Sequence, residues 1–263
     1  MNWLNKYIKI MNNFRIIPRL EVKSGNLIKG MRMEGLRIVD NPIDRAIKYY
    51  EDGADEIIYS DIVASLYSRP YDLVTISEIS RKIHIPFVVG GGIKSRDDVH
   101  RILDAGADRV CINTGAIEDP DIIYDTSREF GSQCITIEIQ AKSIYDRFWE
   151  PFIENGRNRT NIDLFDWVNL TQELGVGEVF LYSIDGDGMK TGLDCNLIKK
   201  IRKSINTPFI AGGGIGSTDH IKDLIELGCN GVVLSNILHF DDISIKDIKK
   251  NIKQVGDCIR VYE

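Results

Sequence analysis

The sequence PFVVGGGIKSRDDVHRILDAGADRVCIN at residues 86–113 returns as PFIAGGGIGSTDHIKDLIELGCNGVVLS at residues 208–235. The two stretches align without gaps at an offset of 122 residues and are identical at ten of 28 positions. Each begins with an apolar run, passes through a Gly-Gly-Gly turn and an amphipathic stretch, and ends in a second apolar run. An internal repeat of this length indicates a fold assembled from two equivalent halves.

Short apolar runs extend this pattern over the whole chain. They lie at residues 15–22, 56–62, 86–90, 109–113, 134–140, 178–184, 208–211 and 231–235. Near-continuous apolar runs are typical of strands covered on both faces of a parallel sheet, and amphipathic stretches separate them here. The alternation predicts one α/β domain, a (β/α)8 TIM barrel built from two duplicated half-barrels. We expect this barrel to occupy residues 14–263, after an N-terminal extension at residues 1–13.

Capping residues predict where several helices begin and end. Asn41 and Asp119 each precede a proline, and Ser95 and Ser217 open two further helices. Glycines that follow the last apolar position of a helix are expected to be left-handed caps, and they stand at Gly53, Gly106, Gly131, Gly175 and Gly228.

Composition excludes several classes of function. The chain has 33 Lys and Arg against 39 Asp and Glu, so its net charge of −6 provides no basic field for nucleic acid or an anionic membrane. It has neither a membrane-spanning apolar run nor an export signal, which predicts a cytoplasmic protein. The five cysteines and four histidines lack the spacing of a metal site. We therefore predict no metal and no cofactor.

Polar residues at the carboxyl ends of the predicted strands define a candidate site, because barrel enzymes carry their active sites at that face. Glu21 and Gln140 end the first and fifth strands, which are equivalent in the two halves, and are expected to face each other. Two carboxylates there would form a general acid and base pair, but Gln140 exchanges no proton at neutral pH. Asp61 and Asp187 follow the second and sixth strands. Residues 23–41 and 141–162 are polar and long enough to form mobile lids.

The repeated Gly-Gly-Gly turns leave backbone N–H groups open to a phosphate. Small polar residues follow the neighbouring strands, Asn113 and Thr114 in one half and Ser235 and Asn236 in the other. Two such turns at one barrel mouth predict a long ligand with a phosphate at each end.

Charged residues lie near the opposite ends of four strands. Arg15, Glu56, Arg109 and Glu178 alternate in sign, which permits a closed ring of salt bridges. Spacing alone favours solvated strand ends over such a ring, since exposed ion pairs contribute little stability.

The motifs together resemble the cyclase subunit of imidazole glycerol phosphate synthase, the HisF family of histidine biosynthesis, from Phe14 to Val261. RIIPRLEVKSGNLIKG, DEIIYSDI, PFVVGGGI, GADRVCINT, FGSQ, SIDGDGMKTG and the late LHF carry the resemblance. It implies a duplicated half-barrel that binds a bisphosphate substrate and receives ammonia through its centre from a docked HisH-type glutaminase.

The resemblance also assigns individual residues. One phosphate would lie at Gly92, Asn113 and Thr114, and the other at Gly188, Gly213, Ser235 and Asn236. Lys29 matches the lysine of the mobile loop after the first strand, and Asp61 and Asp187 match active-site positions. Arg15, Glu56, Arg109 and Glu178 match the charged gate at the ammonia entrance, which favours the ring over solvated strand ends. Asp108 matches a residue that faces the glutaminase.

The sequence departs from the family at its chemistry. The family has aspartates on both facing strands, whereas this chain has Glu21 and Gln140, and Tyr182 replaces a small hydroxyl residue. This departure favours first a divergent second-copy paralogue that is weak or inactive as a cyclase, in which the barrel delivers ammonia to a sugar amidotransferase for amidination in surface-sugar biosynthesis. A second is a functional histidine-pathway cyclase that uses Glu21 and Asp187. A third is a non-catalytic phosphate-ligand sensor or glutaminase scaffold.

Overall fold

Eight parallel strands close into a barrel in a computed structural model that describes residues 14–67, 71–145 and 148–253. The strands of these residues are β1 (Arg15–Lys23), β2 (Asn26–Met31), β3 (Glu34–Asp40), β4 (Ile57–Asp61), β5 (Phe87–Gly90), β6 (Arg109–Ile112), β7 (Ile135–Tyr145), β8 (Phe148–Ile153), β9 (Asn158–Arg159), β10 (Glu178–Ser183), β11 (Phe209–Gly212) and β12 (Gly231–Leu234). The barrel order is β1, β4, β5, β6, β7, β10, β11 and β12, and β12 pairs with β1. The predicted (β/α)8 barrel is confirmed.

Helices lie between the barrel strands. The described ones are α1 (Pro42–Glu51), α2 (Ala64–Tyr67), α3 (Leu73–Lys82), α4 (Arg96–Asp104), α5 (Thr114–Glu118), α6 (Asp121–Phe130), α7 (Leu164–Glu173), α8 (Cys195–Ile201), α9 (Thr218–Glu226), α10 (Asn236–His239) and α11 (Ile245–Lys253). Within the described ranges, no helix has the length and apolar character needed to cross a membrane. The predicted extension at residues 1–13 and the barrel span after residue 253 lie outside the described residues.

Both segments predicted as lids contain antiparallel strands. β1 extends past the barrel edge, where β2 pairs with it and β3 pairs with β2. β7 likewise extends beyond the barrel to pair with β8, which pairs with β9. Pairing of this kind satisfies the backbone groups of each segment, so the segments are sheet extensions of the barrel.

The predicted caps hold at three of four positions. The Asn41 side chain accepts hydrogen bonds from Ile43 N and Asp44 N, and Ser95 and Ser217 cap α4 and α9. At the fourth position the N-cap is displaced by one residue, because Asp119 ends α5 and Pro120 occupies the N-cap of α6. Asp119 Oδ1 nevertheless accepts a hydrogen bond from Asp121 N at 3.3 Å. The five predicted glycine caps all have positive φ, between 80° and 109°.

Apolar side chains pack on both faces of the barrel sheet. One cluster lies between the strands and the helices, and a second fills the barrel interior, where it includes Ile17, Ile58, Val88, Cys111 and Phe180. Burial on both faces explains why the strands are near-continuous apolar runs in the sequence.

Gly213→Ala tests the tight turn that follows β11. Gly213 has φ +89°, and a Cβ there would lie 2.4 Å from Ser183 O, whereas Gly53 has φ +88° with no atom within 4 Å of the added Cβ. Both substitutions lower the free energy of unfolding by roughly 1 kcal/mol, because alanine disfavours the left-handed backbone conformation. Only Gly213→Ala also brings its Cβ into a clash with the backbone. We expect urea unfolding to show a loss at least about 1 kcal/mol larger for Gly213→Ala than for Gly53→Ala. Equal losses would contradict the close approach.

Candidate functional site

A ring of four charged residues lies at the amino ends of the barrel strands, and we call Arg15, Glu56, Arg109 and Glu178 the lower ring. Arg15 Nη1 lies 2.7 Å from Glu56 Oε2, and Arg109 Nη1 lies 2.8 Å from Glu178 Oε2. Arg15 also pairs with Glu178, and Arg109 with Glu56, so each arginine bridges both glutamates. Burial alone would lower the pKa of Arg15, but Glu178 and Glu56 outweigh it and raise that pKa. The four charges form a closed ring, not separate solvated strand ends.

A second ion pair crosses the barrel interior above the lower ring. Arg19 Nη1 of β1 lies 2.9 Å from Glu138 Oε1 of β7, and both side chains are buried. The Arg19 guanidinium carbon also lies 4.7 Å from the centre of the Tyr182 ring, a cation–π contact with β10. Arg19 therefore links three barrel strands at one level.

The third charged group lies at the carboxyl ends of the strands, which we call the mouth. Lys29 Nζ lies 2.6 Å from Glu21 Oε2 and 2.6 Å from Asp187 Oδ1. Burial alone would lower the pKa of Lys29, but the two carboxylates outweigh it and raise that pKa. Tyr182 Oη donates a hydrogen bond to Asp187 Oδ1, and the pKa of Tyr182 is raised by burial and by Glu21 and Asp187.

Asp187 also holds the β2–β3 segment over the mouth. Its Oδ2 accepts a hydrogen bond from Met33 N at 2.8 Å, and its backbone carbonyl accepts one from Arg32 N at 2.9 Å. Lys29 belongs to β2, so its two ion pairs add to this attachment. The segment is therefore closed onto the site through Asp187 and Lys29.

Two pockets lie at the mouth, one in each half-barrel. The first is lined by Asp61, Gly92, Asn113, Thr114 and Gln140 among others. The second is lined by residues that include Asp187, Gly188, Gly213, Ser235 and Asn236. The residues assigned to the two phosphates thus fall into two separate pockets.

The repeat is reproduced in the backbone of these pockets. Asn113 precedes α5 with φ −125° and ψ −84°, and Ser235 precedes α10 with φ −128° and ψ −80°. Neither side chain caps its helix. Asn113 and Ser235, which lie 122 residues apart, therefore share an uncommon backbone conformation as well as equivalent places in the sequence repeat.

Glu21 and Gln140 differ in their partners. Glu21 contacts Lys29 and Tyr182, whereas Gln140 donates its Nε2 hydrogen to Glu138 Oε1 at 3.1 Å. The described contacts include no hydrogen bond between Glu21 and Gln140. Glu21 instead shares Lys29 with Asp187, so these two carboxylates are paired through one ammonium group.

Asp108 is exposed at the start of β6, on the face that carries the lower ring. Its Oδ2 accepts a hydrogen bond from Phe87 N at 2.8 Å. A groove beside it is lined by Ser80, His84 and Pro86. Asp108 and the groove are therefore accessible at the face of the barrel that carries the lower ring.

The sequence prediction missed Arg19 and Glu138. Each stands two residues before a predicted site residue, Glu21 or Gln140, in an otherwise apolar strand. Because side chains alternate along a strand, this spacing places both charges inside the barrel. That alternation could have identified the pair.

Comparison with known proteins gives consistent matches. A model of the histidine biosynthesis protein family matches residues 15–244. The imidazole glycerol phosphate synthase subunit HisF of Hydrogenobaculum sp. (strain Y04AAS1) is 40% identical over 248 residues, 94% of this chain and 98% of that protein. The subunit HisF of Streptococcus mutans is 39% identical over 94% of this chain and 98% of its own length. That of Legionella pneumophila is 44% identical over 81% of this chain and 100% of its own length.

Lys29→Met tests the ion pairs at the mouth. The substitution leaves Glu21 and Asp187 buried without their shared cation, which is expected to cost about 3–5 kcal/mol of unfolding free energy. Lys190→Met is the control, because Lys190 Nζ pairs with Asp242 Oδ2 at 2.7 Å on the surface and should lose less than about 1 kcal/mol. If chemical unfolding showed equally small losses of unfolding free energy for both variants, Glu21 and Asp187 would not need Lys29 to be stable in the mouth.

His239 of α10 gives a pH test of the same region. Burial, together with the positive charges of Lys29 and Arg45, lowers the pKa of His239 from 6.5 to about 3. Its contribution to stability is therefore present above pH 6.5 and is lost as the pH falls toward 3. Between pH 6.5 and about pH 4.5 we expect the wild type to lose roughly 2 to 3 kcal/mol more than His239→Gln. Parallel pH profiles in urea unfolding would contradict the buried neutral histidine.

Proposed function

Because the chain belongs to the histidine biosynthesis protein family, within it to the HisF subunits, we propose that it is a working synthase subunit of imidazole glycerol phosphate synthase. In this proposal a bisphosphate substrate lies across the mouth, and a HisH-type glutaminase docks at the lower ring. Ammonia released by the glutaminase passes through the barrel to the substrate. The observation that carries the proposal is the position of the charged lower ring and of a two-pocket mouth at opposite ends of one barrel.

The two pockets support a ligand with a phosphate at each end. Gly92 and Gly213 have φ +72° and +89°, and a Cβ at either would lie within 3.0 Å of a neighbouring atom. Backbone N–H groups in such Cβ-free turns are open to phosphate oxygens. Asn113 and Ser235 repeat the same backbone conformation beside each turn. Each half-barrel would hold one phosphate, with the reacting part of the substrate between them.

The proposed chemistry uses Glu21 and Asp187. Both carboxylates contact Lys29 Nζ, and Tyr182 donates a hydrogen bond to Asp187. A substrate that draws Lys29 toward a phosphate would leave one carboxylate to accept a proton and the other to donate one. Gln140 contributes no proton in this scheme, so the acid–base work of the family's second aspartate would pass to Asp187.

A second candidate is ammonia delivery to other chemistry. It is favoured by Gln140, which removes a carboxylate from the mouth, and it would suit a divergent copy that supplies amidination of a surface sugar with a sugar amidotransferase as partner. The similarity to the named HisF subunits supports the histidine-pathway proposal better. A phosphate-ligand sensor or glutaminase scaffold and a cytoplasmic location stay predictions.

Ammonia-dependent turnover without a glutaminase tests the proposed chemistry. We expect the wild type to convert the family's bisphosphate substrate in ammonium salt at high pH, and Glu21→Gln to lower kcat by about a hundredfold or more. Glu226→Gln is the control, because Glu226 is an exposed residue at the end of α9 and lines neither pocket of the mouth. The second candidate would instead be supported if the wild type bound the substrate without turnover and the Gln140→Asp variant gained activity.

A further inference from the structure

Gln140 is a buried amide with a fixed orientation. Its Nε2 donates to Glu138 Oε1 at 3.1 Å, and its side chain lines the pocket of the first half-barrel. A carboxylate oxygen only accepts hydrogen bonds, so the NH2 side of the amide must face Glu138. The amide oxygen is left on the other side, buried and without a partner among the described residues. Because Glu138 can only accept, its contact with the NH2 group leaves the Gln140 amide oxygen as the atom available to a ligand.

Glu138 is itself held from below and from the side. Arg19 Nη1 and Nη2 lie 2.9 Å and 3.2 Å from its two carboxylate oxygens. Arg19 in turn lies over the rings of Tyr182 and Phe180, at 4.7 Å and 5.6 Å. Arg19 thus contacts two aromatic rings of β10 and both carboxylate oxygens of Glu138, which restrains the carboxylate that meets Gln140.

Asn113 presents a second amide oxygen in the same pocket. Its Nδ2 donates to the carbonyl of Phe152 at 3.1 Å, and a carbonyl also only accepts. The Asn113 Oδ1 is buried and has no partner among the described residues. A buried acceptor without a donor costs about 1–3 kcal/mol. Two such acceptors in one pocket indicate a place for a ligand that donates hydrogen bonds.

We propose that Arg19 and Glu138 are positioning residues, which hold Gln140 with its amide oxygen toward the ligand. The first pocket then selects a ligand that presents a hydroxyl or an N–H group beside its phosphate. This inference deepens the proposed function, and its choice of ligand rests on that function.

The double variant Arg19→Met with Glu138→Leu removes the positioning pair. Replacing both partners of a buried ion pair by apolar residues of similar size is often close to neutral for stability, whereas either single change leaves an unpaired charge. The Gln140 amide is then free to turn, and calorimetry should show the Kd for the bisphosphate substrate rising about tenfold. Gln140→Leu should raise the Kd about tenfold in the wild type but change it little in the double variant, because there the amide oxygen is no longer held toward the ligand. An equal effect of Gln140→Leu in both backgrounds would show that the pair does not position Gln140, and would overturn the proposal.

A measurement without ligand separates the inference from the proposed function. In 15N-labelled wild type, the Gln140 side-chain amide, identified by its absence in Gln140→Glu, should exchange its protons slowly in NMR spectra, and the double variant should exchange them fast. Fast exchange in the wild type overturns the proposal even if the double variant does not fold. Slow wild-type exchange that is lost in the double variant supports it, and if no protein then binds the bisphosphate, the proposed substrate fails while the positioning stands.

Discussion

Charged side chains inside a barrel must be paired, because each unpaired ion buried in a medium of low polarity costs several kcal/mol. This chain meets the constraint at three levels along one axis: the lower ring, the Arg19–Glu138 pair, and Lys29 between two carboxylates at the mouth. β1 contributes to every level, with Arg15, Arg19 and Glu21 on its inner side. The ion pairs link β1 to β7 and β10 through side chains, in addition to the backbone pairing of neighbouring strands.

Much of the fold could be predicted because burial on both faces forces apolar strands, and because the repeat marks equivalent turns. The pairing of side chains across the barrel could not be predicted in the same way. Arg19 and Glu138 are far apart in sequence, and only their alternation with Glu21 and Gln140 indicated a shared interior. The N-cap predicted at Asp119 is displaced by one residue because Asp119 also ends the preceding helix. The polar segments after β1 and β7 form strands because they pair with barrel strands that extend beyond the edge.

Gln140 stands where the family has an aspartate, and its contacts in the structure give this replacement a structural explanation. A carboxylate is missing at that position, but Glu138 places one 3.1 Å from the Gln140 amide, one inner position lower on the same strand. Arg19 pairs with that carboxylate, so Gln140 adds an oriented neutral acceptor to the mouth. In the proposed function, Glu21 and Asp187 carry the proton transfers and Gln140 orients the substrate. Substrate orientation and proton transfer would then be divided between two sides of the mouth, without the second aspartate of the family.

In the proposed function, ammonia travels from the lower ring to the mouth inside the barrel, past Arg19 and Glu138. Isotope competition tests it most directly, with the HisH-type glutaminase docked, glutamine labelled with 15N at its amide, and unlabelled ammonium in excess. Passage inside the barrel predicts that the product retains the 15N label despite the external ammonium. Product labelled only in proportion to the bulk ammonium would contradict this route, because it would show that the ammonia reaches the substrate from the solvent.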